Sequence, residues 1–350
     1  GVSQRPERPA GIEFMQMVRV HQNLANCEFG TTPDRKLCPY AVPASYTMQP
    51  STAVITSAAK LNPGSVWLIG NEIDRPDWNG GRQDEITPEL YAVAYHEVRA
   101  IIKAADPTAR IAIGGVIQFA PLRKQYLDKV WSSYQARYGS DMPVDVWNVH
   151  NFIGSEYCVK ETVAKVPQRV CYGMAIPAGI TVTPNSKGQE IGAYYGDDHL
   201  HVSMETFRKQ IFDFRTWMKN HGQIAKPLIV SEYGVLYKTL CGQESAAAKQ
   251  KCVDYYKKPP RYWVDLENAS VVQDFMLSTF DFFTNAKDCS LSTSDDCRLV
   301  QRWAWYSLEE ASWNFNPHTA LYNAGSTQRS VTGDKYSAFS KDNVDQLQYP

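Results

Sequence analysis

Short apolar runs alternate along the chain with longer segments in which hydrophobic residues recur every three or four positions. The short runs are apolar on both faces, which is typical of strands in a buried parallel sheet. They predict strands at residues 14–20, 66–70, 111–116, 144–150, 227–232 and 300–306. The longer segments have the period of amphipathic helices and predict helices at residues 52–61, 90–105, 122–138, 204–218 and 269–284.

Residues that favour the start of a helix precede three of these helical segments. Thr87 and Pro88 supply an N-cap and a first-turn proline, and Ser203 stands directly before the fourth segment. Asn268-Ala269-Ser270 has the pattern of a glycosylation acceptor. Because this tripeptide lies at the start of a helical segment, we interpret Asn268 as an N-cap.

Repeated strand–helix units predict an α/β fold, either a (β/α)8 barrel or a doubly wound sheet. Long connections follow the strands that end near Val20, His150 and Glu232, whereas most helix-to-strand connections are short. A barrel is elaborated in this way, at the carboxyl ends of its strands. The segment Ile113-Gly114-Gly115 lacks the third glycine of a nucleotide-binding loop. We therefore predict a single barrel domain over residues 1–350.

Composition favours a neutral ligand. The chain has 350 residues, 43% of them hydrophobic, and a formal net charge of −1. A charge so near zero gives no reason to expect a nucleic acid or an acidic surface as partner. No apolar stretch reaches the length of about 18 residues that a transmembrane helix needs, so we expect no membrane partner. The start at Gly1 shows no signal-peptide pattern, and we expect a soluble protein that is processed or truncated at its front.

The eight cysteines fall into four neighbouring pairs, each spanning a short polar stretch: Cys27/Cys38, Cys158/Cys171, Cys241/Cys252 and Cys289/Cys297. This spacing predicts four local disulfides, and neither Cys-x2-Cys zinc knuckles nor a Cys-x-x-Cys redox motif occurs. The alternative, buried free thiols, fits poorly with such hydrophilic surroundings. We predict an oxidising compartment, either extracellular or periplasmic.

Two short segments each place a glutamate at the carboxyl end of a predicted buried strand. Gly70-Asn71-Glu72 follows an apolar run, and so does Ser231-Glu232-Tyr233-Gly234. Acetal hydrolysis needs one protonated carboxyl that donates to the leaving oxygen and one ionised carboxylate that faces the anomeric carbon. The pair therefore predicts a two-carboxylate glycosidase, with structural ion pairs or helix caps as the alternative.

These strand ends, together with the closing segment Trp303-Ala304-Trp305-Tyr306, resemble the clan A retaining glycoside hydrolases. The segments Phe14-Met15-Gln16-Met17-Val18 and Leu68-Ile69-Gly70-Asn71-Glu72 are most similar to small secreted "glycosyl hydrolase catalytic core" proteins, which include endo-β-1,3-glucanases. The resemblance implies a (β/α)8 barrel in which residues 111–116 and 144–150 form strands five and six. It also implies that Glu72 is the acid/base and Glu232 the nucleophile.

The chain departs from that family in three respects. If residues 14–20 form strand three, the first two barrel strands are missing from this chain. The family's Asn-Glu-Pro is Asn71-Glu72-Ile73 here, and the aromatic residue after the strand-six histidine is Phe152 where the family usually has tyrosine. We expect the barrel to be completed by residues upstream of Gly1 or closed in an irregular way, with the two glutamates in place, and we expect the other two changes to alter the substrate site.

The two glutamates have opposite electrostatic requirements. Glu72 needs a raised pKa, from an apolar site or from the charge on Glu232, whereas Glu232 must stay ionised through nearby donors. Arg19 and Tyr233 are the candidate donors. Asn71 is predicted to hydrogen-bond the sugar hydroxyl next to the anomeric carbon.

Four more residues are predicted to line the substrate cleft. His21 and His150 lie at strand ends, where a purely structural hydrogen bond is the alternative role. Trp305 is predicted to stack on a pyranose, with core packing as the alternative. Trp78 lies in a loop-like segment and is predicted to contact sugar, with a place in the core or at the rim as the alternative.

The remaining polar residues predict no further ligand, and more than one class of function stays open. His199 and His201, near two aspartates, are explained by a polar loop, so we expect neither a metal nor a cofactor. We predict a retaining β-glycoside hydrolase that acts on an oligosaccharide or polysaccharide and is endo-acting. The alternatives are a non-catalytic carbohydrate-binding or structural barrel, and a lyase, esterase or other barrel enzyme.

Overall fold

The computed structural model describes residues 1–6, 13–25, 38–76, 83–163, 166–193, 201–237, 250, 254, 266, 268–309 and 315–343. The chain divides into two compact units. The first contains Gly1–His150 and Ser155–Tyr194, and the second contains Asn151–Gly154 and Tyr195–Pro350. The single domain expected from the sequence stays a prediction.

The main sheet of the first unit has the strand order β2-β1-β3-β4. These strands are β1 (Gln16–Gln22), β2 (Tyr46–Gln49), β3 (Val66–Asn71) and β4 (Arg110–Gly115). β1 and β3 run parallel, as do β3 and β4, whereas β2 is an antiparallel edge strand. β5 (Trp147–His150) lies next to β4, joined by parallel bridges on either side of its start. The parallel pairing is what the doubly apolar strand runs predicted.

Three helices connect these strands: α1 (Thr52–Leu61), α2 (Pro88–Ala105) and α3 (Pro121–Tyr138). Each presents an apolar stripe of buried residues, such as Tyr91, Tyr95 and Val98 in α2. Thr87 occupies the N-cap of α2 and Pro88 its first turn, as predicted. Burying such a stripe against the sheet supplies most of a helix's stability.

The connection after β5 contains a second sheet that the sequence patterns did not predict. Its strands are β6 (Glu156–Val163), β7 (Val166–Gly173) and β8 (Gln189–Ile191), all antiparallel in the order β7-β6-β8. Cys158 lies directly opposite Cys171 in the β6–β7 register, and the two form a disulfide. This confirms one predicted cysteine pair and places it across a hairpin.

The second unit contains α4 (Met204–Asn220), β9 (Leu228–Tyr233), α5 (Ala269–Asn285), β10 (Arg302–Trp305) and α6 (Val331–Asp342), with short 3₁₀ turns at Asp295–Cys297 and Pro317–Thr319. β9 and β10 pair in parallel. The hydroxyl of Ser203 accepts a hydrogen bond from the backbone of Thr206. The side chain of Asn268 accepts one from the backbone of Ser270. Both residues are therefore N-caps, as predicted.

The disulfide between Cys289 and Cys297 confirms a second predicted pair. Cys38 is disulfide-bonded, whereas Cys27, Cys241 and Cys252 lie outside the described residues. The other two pairings therefore stay predictions.

The α/β class is confirmed, but within the described residues the strands form partial sheets and no closed barrel. None of the helices that the structure describes combines the length and the apolar character needed to cross a membrane.

Candidate active site

Glu72 follows directly after β3, whose preceding residues are buried on both faces. Its backbone has a φ of 48°, in the left-handed region that non-glycine residues rarely adopt. Such a conformation costs about 1–3 kcal/mol and persists where the surrounding structure enforces it. Only 4% of the residue is exposed, so the carboxyl lies at a buried strand end.

Two basic side chains flank this carboxyl. His150 Nδ1 lies 3.3 Å from Glu72 Oε1, and Arg75 Nη1 lies 3.3 Å from Glu72 Oε2. Gln83 adds a side-chain hydrogen bond. Sequence analysis missed Arg75 and Gln83, because a loop residue three or eleven positions from a glutamate carries no periodic signal.

The electrostatics of Glu72 differ from the expectation. Burial raises the pKa of its carboxyl, but the hydrogen bond with His150 and the positive charge of Arg75 outweigh burial. The pKa is therefore held well below its usual value, whereas the sequence prediction required a raised pKa. The reason is that cationic and hydrogen-bonding neighbours, rather than apolar ones, surround the buried carboxyl.

His150 reaches Glu72 because Gly115 leaves room for its ring. His150 ends β5, and its backbone N–H donates to the carbonyl of Val116 at 2.8 Å. A Cβ at Gly115 would lie 2.6 Å from His150 Cδ2, closer than real side chains pack. The position of His150 beside Glu72 thus depends on a glycine of the neighbouring strand.

Asp84 joins the ends of the two strands that carry Arg19 and Asn71. Its carboxylate accepts hydrogen bonds from the backbone of Val20 at 3.1 Å and of Asn71 at 2.9 Å, and from Arg19 Nε at 2.6 Å. Burial raises the pKa of Asp84 to about 7, and these donors offset only part of that effect. No sequence pattern predicted a role for Asp84, which joins β1 to the Asn71–Glu72 end of β3 through these hydrogen bonds.

His21 lies near the end of β1 and is almost fully buried. Burial, assisted by the charge of Arg19, lowers its pKa to about 4. The imidazole is therefore neutral at physiological pH and can both donate and accept a hydrogen bond.

In the second unit, Glu232 is the penultimate residue of β9 and is half-buried. Its carbonyl accepts a hydrogen bond from the backbone of Asn151 at 3.1 Å. Neighbouring strand residues point to opposite faces. Tyr233 accordingly points away from the side on which Glu232 lies.

Tyr233, the candidate donor to Glu232, and Trp305, the candidate sugar platform, both have other partners in the structure. The Tyr233 ring is fully buried against Phe207, Phe283 and Trp305, and its hydroxyl hydrogen-bonds with Thr279 at 3.2 Å. Trp305 is 7% exposed, and its indole N–H donates to the carbonyl of Thr319 at 2.8 Å. Both side chains belong to an aromatic core, so the packing alternative holds for them.

The sequence also singles out Trp78, His199, His201 and Phe152. Trp78 and His199 lie outside the described residues. His201 is bonded through Nδ1 to the carbonyl of Ile153 at 2.7 Å and stacks on Tyr237, which fits the structural role expected of it. Phe152 is buried edge-on against Tyr306.

The arrangement in the first unit can hold and exchange a proton. Glu72 and His150 share a buried contact, and a carboxylate and an imidazole are also ligand types for divalent metals. The guanidinium of Arg75 beside the carboxylate opposes a second cation there. We therefore regard acid–base chemistry as the better use of this site.

No protein-family model matches the chain, and no curated protein matches it. Among solved structures, it is similar to a GH128 (subgroup II) endo-β-1,3-glucanase from Sorangium cellulosum, with 12% identity and a TM-score of 0.41 over 82% of this chain and 75% of that one. A monomeric β-xylosidase from Caulobacter crescentus CB15 has 14% identity and a TM-score of 0.39, covering 78% of this chain and 41% of that one. A glucosidase from Croceicoccus marinus has 14% identity and a TM-score of 0.39, covering 82% and 45%.

These structural neighbours are clan A glycoside hydrolases, the class that the sequence motifs resemble. The chain spans less than half the length of the second and third of these proteins. With TM-scores below 0.5, the likenesses carry no argument for the fold or the activity of this chain.

Proposed function

We propose that this protein is a retaining β-glycoside hydrolase that cleaves a β-linked polysaccharide internally. The observation that carries the proposal is Glu72, a buried carboxyl in a strained backbone conformation at the end of a parallel strand, with His150 and Arg75 against it. Proteins retain such strain mainly at functional sites. The (β/α)8 architecture belongs to this proposal.

The chemistry divides between two glutamates. Glu232 attacks the anomeric carbon and forms a glycosyl ester, while Glu72 gives its proton to the departing oxygen. In the second step Glu72 takes a proton from water, whose oxygen attacks the anomeric carbon and releases Glu232. Retention requires the two carboxyls to come within about 5–5.5 Å of one another.

The neighbours of Glu72 supply its proton in this proposal. Because Glu72 is held ionised, a proton on His150, 3.3 Å away, is the local source. Arg75 then stabilises the carboxylate that reforms when the proton leaves for the sugar oxygen. The pair titrates as a unit, so activity follows the protonation of the pair rather than of one residue.

The substrate is proposed to be a neutral glycan. Arg19, His21 and Asn71, together with His150, offer hydrogen-bond donors and acceptors of the kind that sugar hydroxyls need. Two disulfides are consistent with an extracellular protein, and we propose secretion or export to a periplasm. Neither a nucleic acid nor a membrane surface is part of this proposal.

The test is a pair of substitutions with unequal expected effects. Glu232→Ala should abolish turnover of every substrate, because the nucleophile is gone. Glu72→Ala should spare an aryl glycoside with an acidic phenol, whose departure needs no proton, and added azide should restore turnover by attacking the glycosyl ester. Glu205→Ala, at an exposed position of α4, is the matched control. Full activity of both active-site variants would refute the assignment.

One observation favours a second candidate, a carbohydrate-binding protein without catalysis. Glu72 is salt-bridged to Arg75, as a structural carboxylate would be. A non-catalytic protein would bind glycans in calorimetry and release no reducing ends. Detection of reducing ends that disappear in the Glu232→Ala variant would eliminate this candidate.

A further inference from the structure

Arg123 is a completely buried arginine on α3, and its guanidinium hydrogen-bonds with two carboxylates and two backbone carbonyls. Nε donates to Asp74 Oδ2 at 2.8 Å, and Nη1 donates to Glu156 Oε1 at 2.9 Å. The same guanidinium donates to the carbonyl of Ala175 at 2.7 Å and to that of Met174. All three charged side chains have no solvent exposure.

The two carboxylates are bound on their other sides as well. Asp74 Oδ1 accepts the backbone N–H of Ile117 at 3.2 Å. Glu156 Oε2 accepts the backbone N–H of Ala193 at 2.8 Å. A buried polar network in which every member is satisfied fixes one arrangement of the segments it joins.

The segments joined here are the turn that carries Glu72 and the end of the inserted sheet. Asp74 lies two residues after Glu72, and Met174 and Ala175 directly follow β7. Arg75 joins the same two segments, because its Nη1 contacts Glu72 and its Nη2 donates to the carbonyl of Gly173 at 3.5 Å. The carbonyl of Asp74 also accepts the backbone N–H of Ala178 at 2.8 Å.

Backbone strain sits at both ends of this connection. Glu72 and Ala175 are non-glycine residues with φ values of 48° and 56°. Strained residues of this kind stay in place only when their surroundings over-determine them. The Arg123 network supplies such surroundings for Ala175 directly and for Glu72 through Asp74.

We propose that Arg123 is a positioning residue that holds the Glu72 turn against the inserted sheet, so that Arg75 and Glu72 stay aligned for proton transfer. This inference rests on the proposed function of Glu72 as acid/base. A lysine cannot replace this arginine, because one ammonium group cannot reach two carboxylates and two carbonyls in the geometry of a planar fork. This hydrogen-bond network therefore requires an arginine at position 123.

The test compares two leaving groups in the Arg123→Lys variant. The substrates are two glycosides of one sugar that the parent cleaves, one with an acidic phenol and one with an alkyl alcohol. Only the alkyl glycoside needs the proton of Glu72. We expect kcat/KM to fall about tenfold or more for the alkyl glycoside and less than about threefold for the aryl glycoside, because misplacing a proton donor affects only the step that uses it.

Arg215→Lys is the matched control. Arg215 is also completely buried, on α4, but it binds the carbonyls of Lys226 and Leu299 and the side chain of Gln301. Arg215→Lys should lower kcat/KM for the alkyl and the aryl glycoside by the same factor, because it reduces only the amount of folded protein. Equal losses on both substrates in Arg123→Lys would reduce Arg123 to the same structural role and overturn the proposal.

A second variant covers the case in which Arg123→Lys does not fold. Asp74→Asn keeps the Arg123–Glu156 ion pair and removes the negative charge opposite Arg123. It leaves one amide oxygen where the carboxylate accepted hydrogen bonds from both Arg123 and Ile117, so it should show the same unequal loss. Failure of both variants to fold would assign the network a purely structural role. If the parent cleaves neither glycoside and no glycan tested, the proposed function itself fails, which is a different outcome from equal losses.

Discussion

Replacing His150 should raise the pKa of Glu72. The hydrogen bond with His150 is the largest of the effects that lower this pKa, and burial is the effect that it opposes. In His150→Leu the hydrogen bond and the positive charge of a protonated imidazole are both lost, whereas burial persists. The carboxyl should therefore hold its proton to higher pH, with Arg75 as the remaining cation.

The geometry sets the size of the effect. Hydrogen bonds to charged groups contribute about 1.5–3 kcal/mol, and the distance of 3.3 Å from His150 Nδ1 to Glu72 Oε1 is longer than is usual for such bonds. We therefore take the lower end, about 1.5 kcal/mol, which corresponds to about one pKa unit. At any pH above the pKa, the protonated fraction of Glu72 should rise about tenfold.

Carbon-13 NMR of the glutamate carboxyls measures this directly, with the Glu72 signal assigned from its absence in Glu72→Gln. His96→Leu is the control, since His96 contacts Tyr134 and Tyr138 rather than a carboxylate. A Glu72 pKa that stays the same or falls would refute this account of the site.

Two further predictions follow from the placement of neighbouring residues. Gly115→Ala should also raise the pKa of Glu72 in the same NMR titration, because the new Cβ, 2.6 Å from His150 Cδ2, displaces the imidazole. Tyr233→Phe should lower the free energy of unfolding by about 1 kcal/mol, through loss of the hydrogen bond with Thr279, and leave turnover unchanged. A large loss of turnover in Tyr233→Phe would restore the tyrosine to the site.

The helices could be predicted closely from the sequence because their signals are local. The helix predicted at residues 52–61 has the same bounds as α1 in the structure. Ser203 and Asn268 were identified as N-caps because a capping side chain acts within three residues of its own position. The parallel strands were equally visible, since burial on both faces leaves continuous apolar runs.

The inserted sheet and the edge strand β2 escaped prediction for the opposite reason. β6 and β7 contain charged residues such as Lys160 and Arg169, and β2 is a four-residue strand with no buried position. Short, polar strands are stabilised by the partner they pair with rather than by their own pattern. The partner is fixed only by the folded chain.

In the candidate site, too, local sequence signals could be read, whereas contacts that depend on the folded chain could not. Glu72 and His150 were predicted because each ends an apolar strand, and the structure brings their side chains together. Tyr233 was misassigned because its position beside a glutamate suggested a contact, whereas strand alternation turns neighbouring side chains to opposite faces. Arg123 was overlooked because a single arginine in an amphipathic helix has the pattern of a solvent-facing residue.

The neighbours of Glu72 resolve a conflict between burial and charge. A carboxyl this deeply buried, if alone, would hold its proton too tightly to serve as a base in the second half of a retaining reaction. His150 and Arg75 outweigh the effect of burial and hold the carboxyl ionised, so in the proposed reaction the proton for the departing oxygen reaches Glu72 from His150. The sequence prediction did not include these neighbours, and it therefore expected a raised pKa where the structure gives a lowered one. In the proposed reaction Glu72 acts first as acid and then as base, and the arginine of the turn after β3 and the histidine for which β4 leaves space stabilise the ionised form that the second step needs.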